Sequence, residues 1–227
     1  MAIVSVRGLS RDYQQGEHTV HALRGVSLDI EPGEFTVLMG PSGSGKSTLL
    51  NLIGGLDKPT AGSVEIEGAD LAAMTPAERS DLRRDRLGFI FQAYNLIPVL
   101  TAAENAEFVL QLQGKPSDER RARAMETLEV VGLKGMEGRR PNELSGGQQQ
   151  RVAVARAIAG DPALVLADEP TANLDSTTSD ELIATMKHLN TEYGVTFVFA
   201  THDPKVMEAA QRVVRLVDGE IAKDTRA

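Results

Sequence analysis

The chain reads as an α/β fold with a parallel-sheet core, an antiparallel β subdomain beside it and a helical subdomain inserted between two core strands. Three observations lead there. Runs at 34–40 (EFTVLMG), 163–169 (ALVLADE) and 195–203 (VTFVFATHD) are apolar on consecutive positions, as central parallel strands buried on both faces must be. All three end in glycine or polar residues, where open α/β sheets place their ligands. Around them, the opening segments alternate apolar and polar residues, whereas 93–160 follows helical spacing.

Taken in order, IVSVRGLSRDY (3–13), HALRGVSLDIEPGEF (21–35) and GSVEIEGADL (62–71) alternate and carry Gly and Pro-Gly turns, which predicts an antiparallel sheet. STLLNLIGGL (47–56) reads as a helix directly after the first core strand. SDERRARAMETLEVVGL (117–133) reads as a helix opening on a Ser/Asp cap, with Ala124, Leu128 and Val131 on one face. A further helix follows Ser145, with Val152, Ala155 and Ile158 on one side. No repeat, low-complexity tract or linker divides the chain, so 1–227 is read as one domain, with 1–92 and 161–227 as core and 93–160 as helical subdomain.

Composition narrows the function classes. The net charge of −8, from 24 basic and 32 acidic residues, disfavours broad electrostatic binding to nucleic acid, and none is expected as a partner. The absence of cysteine excludes disulfides and thiolate metal sites and fits a reducing compartment. The N-terminus lacks the apolar core of a secretory signal, and no run approaches the ~18 apolar residues of a membrane span. Any service to a membrane is expected from outside the bilayer.

Gly40-Pro41-Ser42-Gly43-Ser44-Gly45-Lys46-Ser47-Thr48 follows the pattern G-x-x-x-x-G-K-[S/T] between a predicted strand and a predicted helix. Such a loop turns backbone N–H groups onto a β-phosphate, brings Lys46 to the β/γ oxygens and offers the Ser47 hydroxyl to Mg²⁺. The site is therefore read as one for a nucleoside triphosphate. Asp168 and Glu169 close the second core strand: Asp168 is read as the carboxylate organising Mg²⁺ through water, Glu169 as the group orienting or deprotonating the attacking water. His202, after the third, is a candidate hydrogen-bond partner for the γ-phosphate. His18, His21 and His188 have no such context and receive no role.

A second turn, Ser145-Gly146-Gly147-Gln148, also opens a helix. Free N–H groups, a positive dipole end and glycines make it an anion site, although an ordinary Ser N-cap explains the isolated motif equally well.

LSGGQ (144–148), with the phosphate loop before it and LVLADEP, NLD (173–175) and THD (201–203) around and after it, resembles the ATPase subunit of ATP-binding cassette transporters. These five motifs span nearly the whole chain, and the resemblance implies a RecA-like P-loop NTPase core. It also implies that the second turn reaches the γ-phosphate bound by a second copy, in an ATP-dependent head-to-tail homodimer. On the same resemblance Asp175 contacts the opposite copy, Gln92 ligates Mg²⁺ and relays nucleotide state, and Tyr13 stacks on adenine, with a half-buried strand tyrosine as the plainer alternative. The implied cofactors are ATP and Mg²⁺. Integral membrane permease subunits are the implied partners, and the cytoplasmic side of the inner membrane is the implied location. YNLIPVLTAAENAEFVL (94–110) is read as the docking surface or, with equal weight, as the insertion's own core.

Within the family the chain is most similar to the ATPases of lipoprotein-releasing, macrolide-exporting and antimicrobial-peptide-resistance systems, which implies amphiphilic cargo. Two rival readings are an ATPase driving a membrane signalling partner, as in cell division, and a soluble cassette acting on nucleic acid or ribosomes. The second usually has paired cassettes or a coiled-coil or zinc insertion, which this acidic chain lacks.

Overall fold

The computed structural model describes residues 2–16 and 18–226. Two long strands open the chain, β1 (Val4–Gln15) and β2 (His18–Ile30), paired antiparallel with Val4 opposite Ile30 and Tyr13 opposite Val20. Strand β3 (Phe35–Met39) enters the core and leads through the phosphate loop into helix α1 (Lys46–Ile53). The chain then returns to the first sheet with β4 (Ala61–Ile66) and β5 (Ala69–Asp70), giving the order β2-β1-β4-β5.

Helix α2 (Pro76–Arg86) precedes β6 (Leu87–Phe91). The stretch read as helical then holds α3 (Ala102–Leu112), α4 (Ser117–Val130) and α5 (Gly146–Ala159). The remaining elements are β7 (Leu164–Asp168), α6 (Ser176–Tyr193), β8 (Phe197–Ala200), α7 (Pro204–Ala209), β9 (Arg212–Val217) and β10 (Glu220–Arg226). The second sheet has the order β10-β9-β3-β8-β7-β6, parallel throughout except at β10.

The continuous apolar runs of the core strands follow from two-sided burial. Side chains alternate faces along a strand. Phe35, Val37, Val165, Ala167, Phe197 and Phe199 pack into a cluster shared with the helical segment. Leu38, Leu164, Leu166, Val198 and Ala200 pack the other way, against β1, β2 and α1. The Phe35 and Phe199 rings stand 4.5 Å apart at the centre of the first cluster.

The structure corrects one helix start. Ser117 does not cap α4: Pro116 holds the N-cap position without a side-chain bond, and Ser117 lies inside the first turn. A proline there leaves the helix start supported by backbone and packing, with Asp118 and Glu119 toward the positive dipole end. Ala124, Leu128 and Val131 do share a buried face. True capping boxes occur at Thr75–Glu78 and Thr101–Glu104, where each Thr accepts the N3 amide and each Glu accepts the Thr amide.

Candidate functional site

The phosphate loop and the ends of β6, β7 and β8 open on a cleft of about 820 Å³, with Tyr13, Val20 and Ala22 from the first sheet on its wall. Gly40, Pro41, Ser42, Gly43, Gly45, Lys46, Ser47 and Thr48 line it, together with Gln92, Glu169 and His202. Two of the glycines are there for space. A Cβ on Gly40 would stand 2.2 Å from the Leu216 carbonyl oxygen, and one on Gly45, at φ 101°, 2.6 Å from that of Ala22. Ser44 is a buried residue of the loop, and among the described residues its Oγ has no hydrogen-bond partner. The Lys46 ammonium donates to the carbonyls of Gly40 and Pro41 at 2.8 and 3.1 Å, folded back over its own loop.

A nucleoside triphosphate with Mg²⁺ fits these residues. The loop presents a glycine-lined cradle, a cation donating to two neutral carbonyls and a hydroxyl without a hydrogen-bond partner among the described residues. Ser47 Oγ donates to Asp168 Oδ1 at 2.9 Å, so the hydroxyl and carboxylate read as Mg²⁺ organisers meet directly. Burial, the largest influence, raises the Asp168 carboxyl above its ordinary range, against the Ser47 bond. Among the described residues no three His, Cys, Asp or Glu gather into a metal cluster. A hydroxyl, an amide and one carboxylate beside phosphate oxygens are the donors that suit Mg²⁺.

Asp168 and Glu169 diverge as the strand end requires. Glu169 takes a left-handed backbone, φ 47°, and turns toward β8. There Thr201 Oγ1 donates to its Oε2 at 3.0 Å, and His202 Nδ1 lies 2.8 Å from its Oε1. Gln92, just past β6, pairs with Asn173: the Asn173 amide donates to the Gln92 carbonyl at 3.0 Å, and Gln92 Nε2 reaches Asn173 Oδ1 at 3.4 Å. The next turn carries two left-handed residues, Tyr94 and Asn95, whose carbonyls both accept from the half-buried Arg156. Burial alone lowers the Arg156 guanidinium from its ordinary range.

The second glycine turn lies elsewhere. Ser145, Gly146, Gly147, Gln148 and Asp175 are absent from the cleft wall. Ser145 caps α5 in a full box: Gln148 N donates to Ser145 Oγ, and Ser145 N donates to Gln148 Oε1. The plain capping role is therefore present in the single chain. Gly147 also has a packing role, since a Cβ there would stand 2.1 Å from Thr178 Cγ2. Asp175 caps α6 through the amide and hydroxyl of Thr178.

Several site residues escape a motif-based reading. Thr201 holds Glu169, and Asn173 holds Gln92, although both sit inside recognised motifs. Val20, His21 and Ala22 line the cleft because β2 pairs with β1 opposite Tyr13, a strand register that no local pattern encodes. Gln150 is fully buried on α5 and donates to the carbonyls of Phe91 and Pro170, each next to a proposed site residue.

A model of the ABC transporter family matches residues 23–172. A macrolide export ATP-binding/permease protein of Paracoccus denitrificans is 47% identical over 224 residues, covering 99% of this chain and 33% of that protein. The chain thus spans about a third of such relatives' length. An uncharacterised ABC transporter ATP-binding protein of Methanocaldococcus jannaschii is 46% identical over 228 residues, covering 99% of this chain and 97% of that one. Among solved structures, a dimeric ATP-binding cassette in a post-hydrolysis state bound to ADP and Pi superposes with a TM-score of 0.90 at 45% identity, over 98% of both chains.

Proposed function

The chain belongs to the ABC transporter family and is an ATP hydrolase of that type; from that premise we propose that two copies close head to tail on ATP and drive an integral membrane permease. The observation that carries the reading is the separation of two anion-seeking turns. The phosphate loop lines the cleft, whereas Ser145–Gln148 opens α5 outside it. A twofold pairing brings each second turn to the other copy's nucleotide, and self-complementary contacts are what such an axis demands. The related cassette solved as a dimer with ADP and Pi supports this arrangement.

In this reading Lys46 leaves the Gly40 and Pro41 carbonyls for the β- and γ-phosphates, and loop N–H groups bind the β-phosphate. Ser47, Gln92 and, through water, Asp168 would hold Mg²⁺, which would supply charge neutralisation at the transferring group. Glu169 orients the attacking water and accepts its proton. Thr201 and His202 fix the carboxylate, and His202 Nε2 faces the γ-phosphate. Tyr13 and Val20 stack the adenine. Positioning and charge account for most of the rate in such chemistry.

The membrane partner is assigned to a groove of about 430 Å³ lined by Leu56, Phe89, Phe91, Phe108 and Leu112. Leu56 and Leu112 are half exposed there. The run 94–110 divides between both of its readings: Asn95, Phe108 and Val109 line the groove, while Ala102, Ala103, Ala106 and Leu110 are core. Groove and nucleotide cleft meet at the turn after β6, where Arg156 holds Tyr94 and Asn95 next to Gln92. No helix among the described residues is long and apolar enough to cross a membrane. The likeness to macrolide export ATP-binding/permease proteins supports a proposed seat on the cytoplasmic face of the membrane and amphiphilic cargo. Glu169→Gln keeps ATP binding and removes the base, so it is expected to accumulate an ATP-dependent dimer in light scattering. A monomer with ATP bound would overturn the composite-site reading.

A further inference from the structure

Tyr13 does not stand free on the cleft wall. Its hydroxyl donates to Asp57 Oδ2 at 2.7 Å. Arg11 makes a two-pronged pair with the same carboxylate, Nε to Oδ2 at 2.8 Å and an NH2 to Oδ1 at 2.9 Å. The Arg11 guanidinium carbon lies 4.4 Å from the centre of the Tyr13 ring. The Lys58 amide adds a bond to Asp57 Oδ1 at 2.7 Å. The ring is thus covered by a cation on one side and tied at its hydroxyl, leaving the other side for the cleft.

The anchor's place in the chain matters as much as its contacts. Asp57 follows α1, the helix that begins in the phosphate loop, after only the Gly54–Leu56 turn. Further bonds join the same two segments: Asp12 N donates to Thr60 Oγ1, and Thr60 N to the Ser10 carbonyl. The irregular register of β1 against β2 around Arg11 marks where the strand bends toward this loop. Burial, the largest single influence, pushes the Asp57 carboxyl up, but the bonds from Tyr13, Lys58 and Arg11 together hold it below its ordinary range.

We infer that Arg11 and Asp57 are positioning residues that lock Tyr13 as a preformed platform for the nucleotide base and tie it rigidly to the phosphate-binding helix. The inference rests on the proposed role of Tyr13 and adds what holds the ring and what it is registered to. A side chain fixed before the ligand arrives loses no rotamer freedom on binding, so the gain falls on ligands that carry a base. A ligand made of phosphates alone gains nothing from it.

That asymmetry supplies the test. Calorimetric titration of the Mg²⁺-loaded chain with a non-hydrolysable ATP analogue and with inorganic tripolyphosphate separates base from phosphate recognition. Asp57→Asn, Asp57→Ala and Arg11→Met are each expected to weaken the analogue roughly three- to tenfold, the span of a cation–π contact or a fixed rotamer, and tripolyphosphate less than about twofold. Added to Tyr13→Ala, Asp57→Ala should cost nothing more for the analogue, because it acts through the ring. If Tyr13→Ala alone weakens both ligands equally or neither, the base-platform reading fails and this inference with it. If Tyr13→Ala separates the ligands while the Arg11 and Asp57 variants do not, the lock alone is overturned. Equal loss of both ligands in Asp57→Asn would make the cluster a brace for the phosphate helix.

Discussion

At φ 47°, Glu169 occupies backbone space that costs a non-glycine residue on the order of 1 kcal/mol or more, and the neighbouring contacts show what holds it there. Its N–H donates to the Ala200 carbonyl, while Thr201 and His202 take one carboxylate oxygen each. Strain held by three bonds aims the carboxylate into the cleft. Charge pairs away from the cleft act on stability. Arg212 is almost fully buried and bridges Asp224, Glu34 and the Asp29 carbonyl. The Arg212 bond holds the Asp224 carboxyl below its ordinary range. A carboxyl depressed on folding stabilises above the unfolded value, near pH 4, and the effect fades as pH falls through the lower folded one. The melting-temperature gap between wild type and Asp224→Asn, followed by calorimetry, is therefore expected to be widest near neutrality and to shrink below about pH 4. A gap unchanged across that range would assign the loss to packing.

Elements were legible in the sequence where their signal is local. The core strands β3, β7 and β8 carry unbroken apolar runs because both faces are covered. The edges of the same sheet do not: β9 alternates buried and more exposed positions, and β10 is almost wholly exposed, so neither shows the run. Strand β6 hides because Gly88 interrupts it, and a Cβ there would stand 2.4 Å from the Ala157 carbonyl oxygen. The phosphate loop is readable for the same local reason, whereas Asp57 and Tyr13 meet across 44 residues. The turn before α5 shows how packing and function share one glycine. Gly147 lets α5 approach the start of α6. Gly147→Ala is expected to lower stability by about 1–3 kcal/mol, the usual cost of overpacking. Adding Thr178→Ser removes the clashing Cγ2 and keeps the hydroxyl bonded to Asp175, so it should restore most of the loss in denaturant melts. No recovery would place the strain in the α5 backbone.

At the scale of the whole molecule, the two apolar clusters lie on opposite faces of one sheet, and the site gathers along the carboxyl edge where that sheet meets the first. The arrangement brings the phosphate loop, Glu169 and Gln92 together within a single chain and leaves Ser145 and Asp175 outside their cleft. On the proposed reading, a lone chain holds nucleotide on one wall only. If the opposite wall comes from a second copy, hydrolysis is second order in protein wherever the dimer is sparse. Steady-state turnover at saturating ATP should therefore give a plot of log rate against log protein with a slope near two at high dilution. The slope should fall to one once dimers dominate, and Ser145→Arg, which obstructs the shared face, should bind nucleotide yet stay near background throughout. A slope of one at every dilution, with turnover per chain unchanged, would mean that each molecule completes its own site, and the role given to the turn before α5 would have to be abandoned.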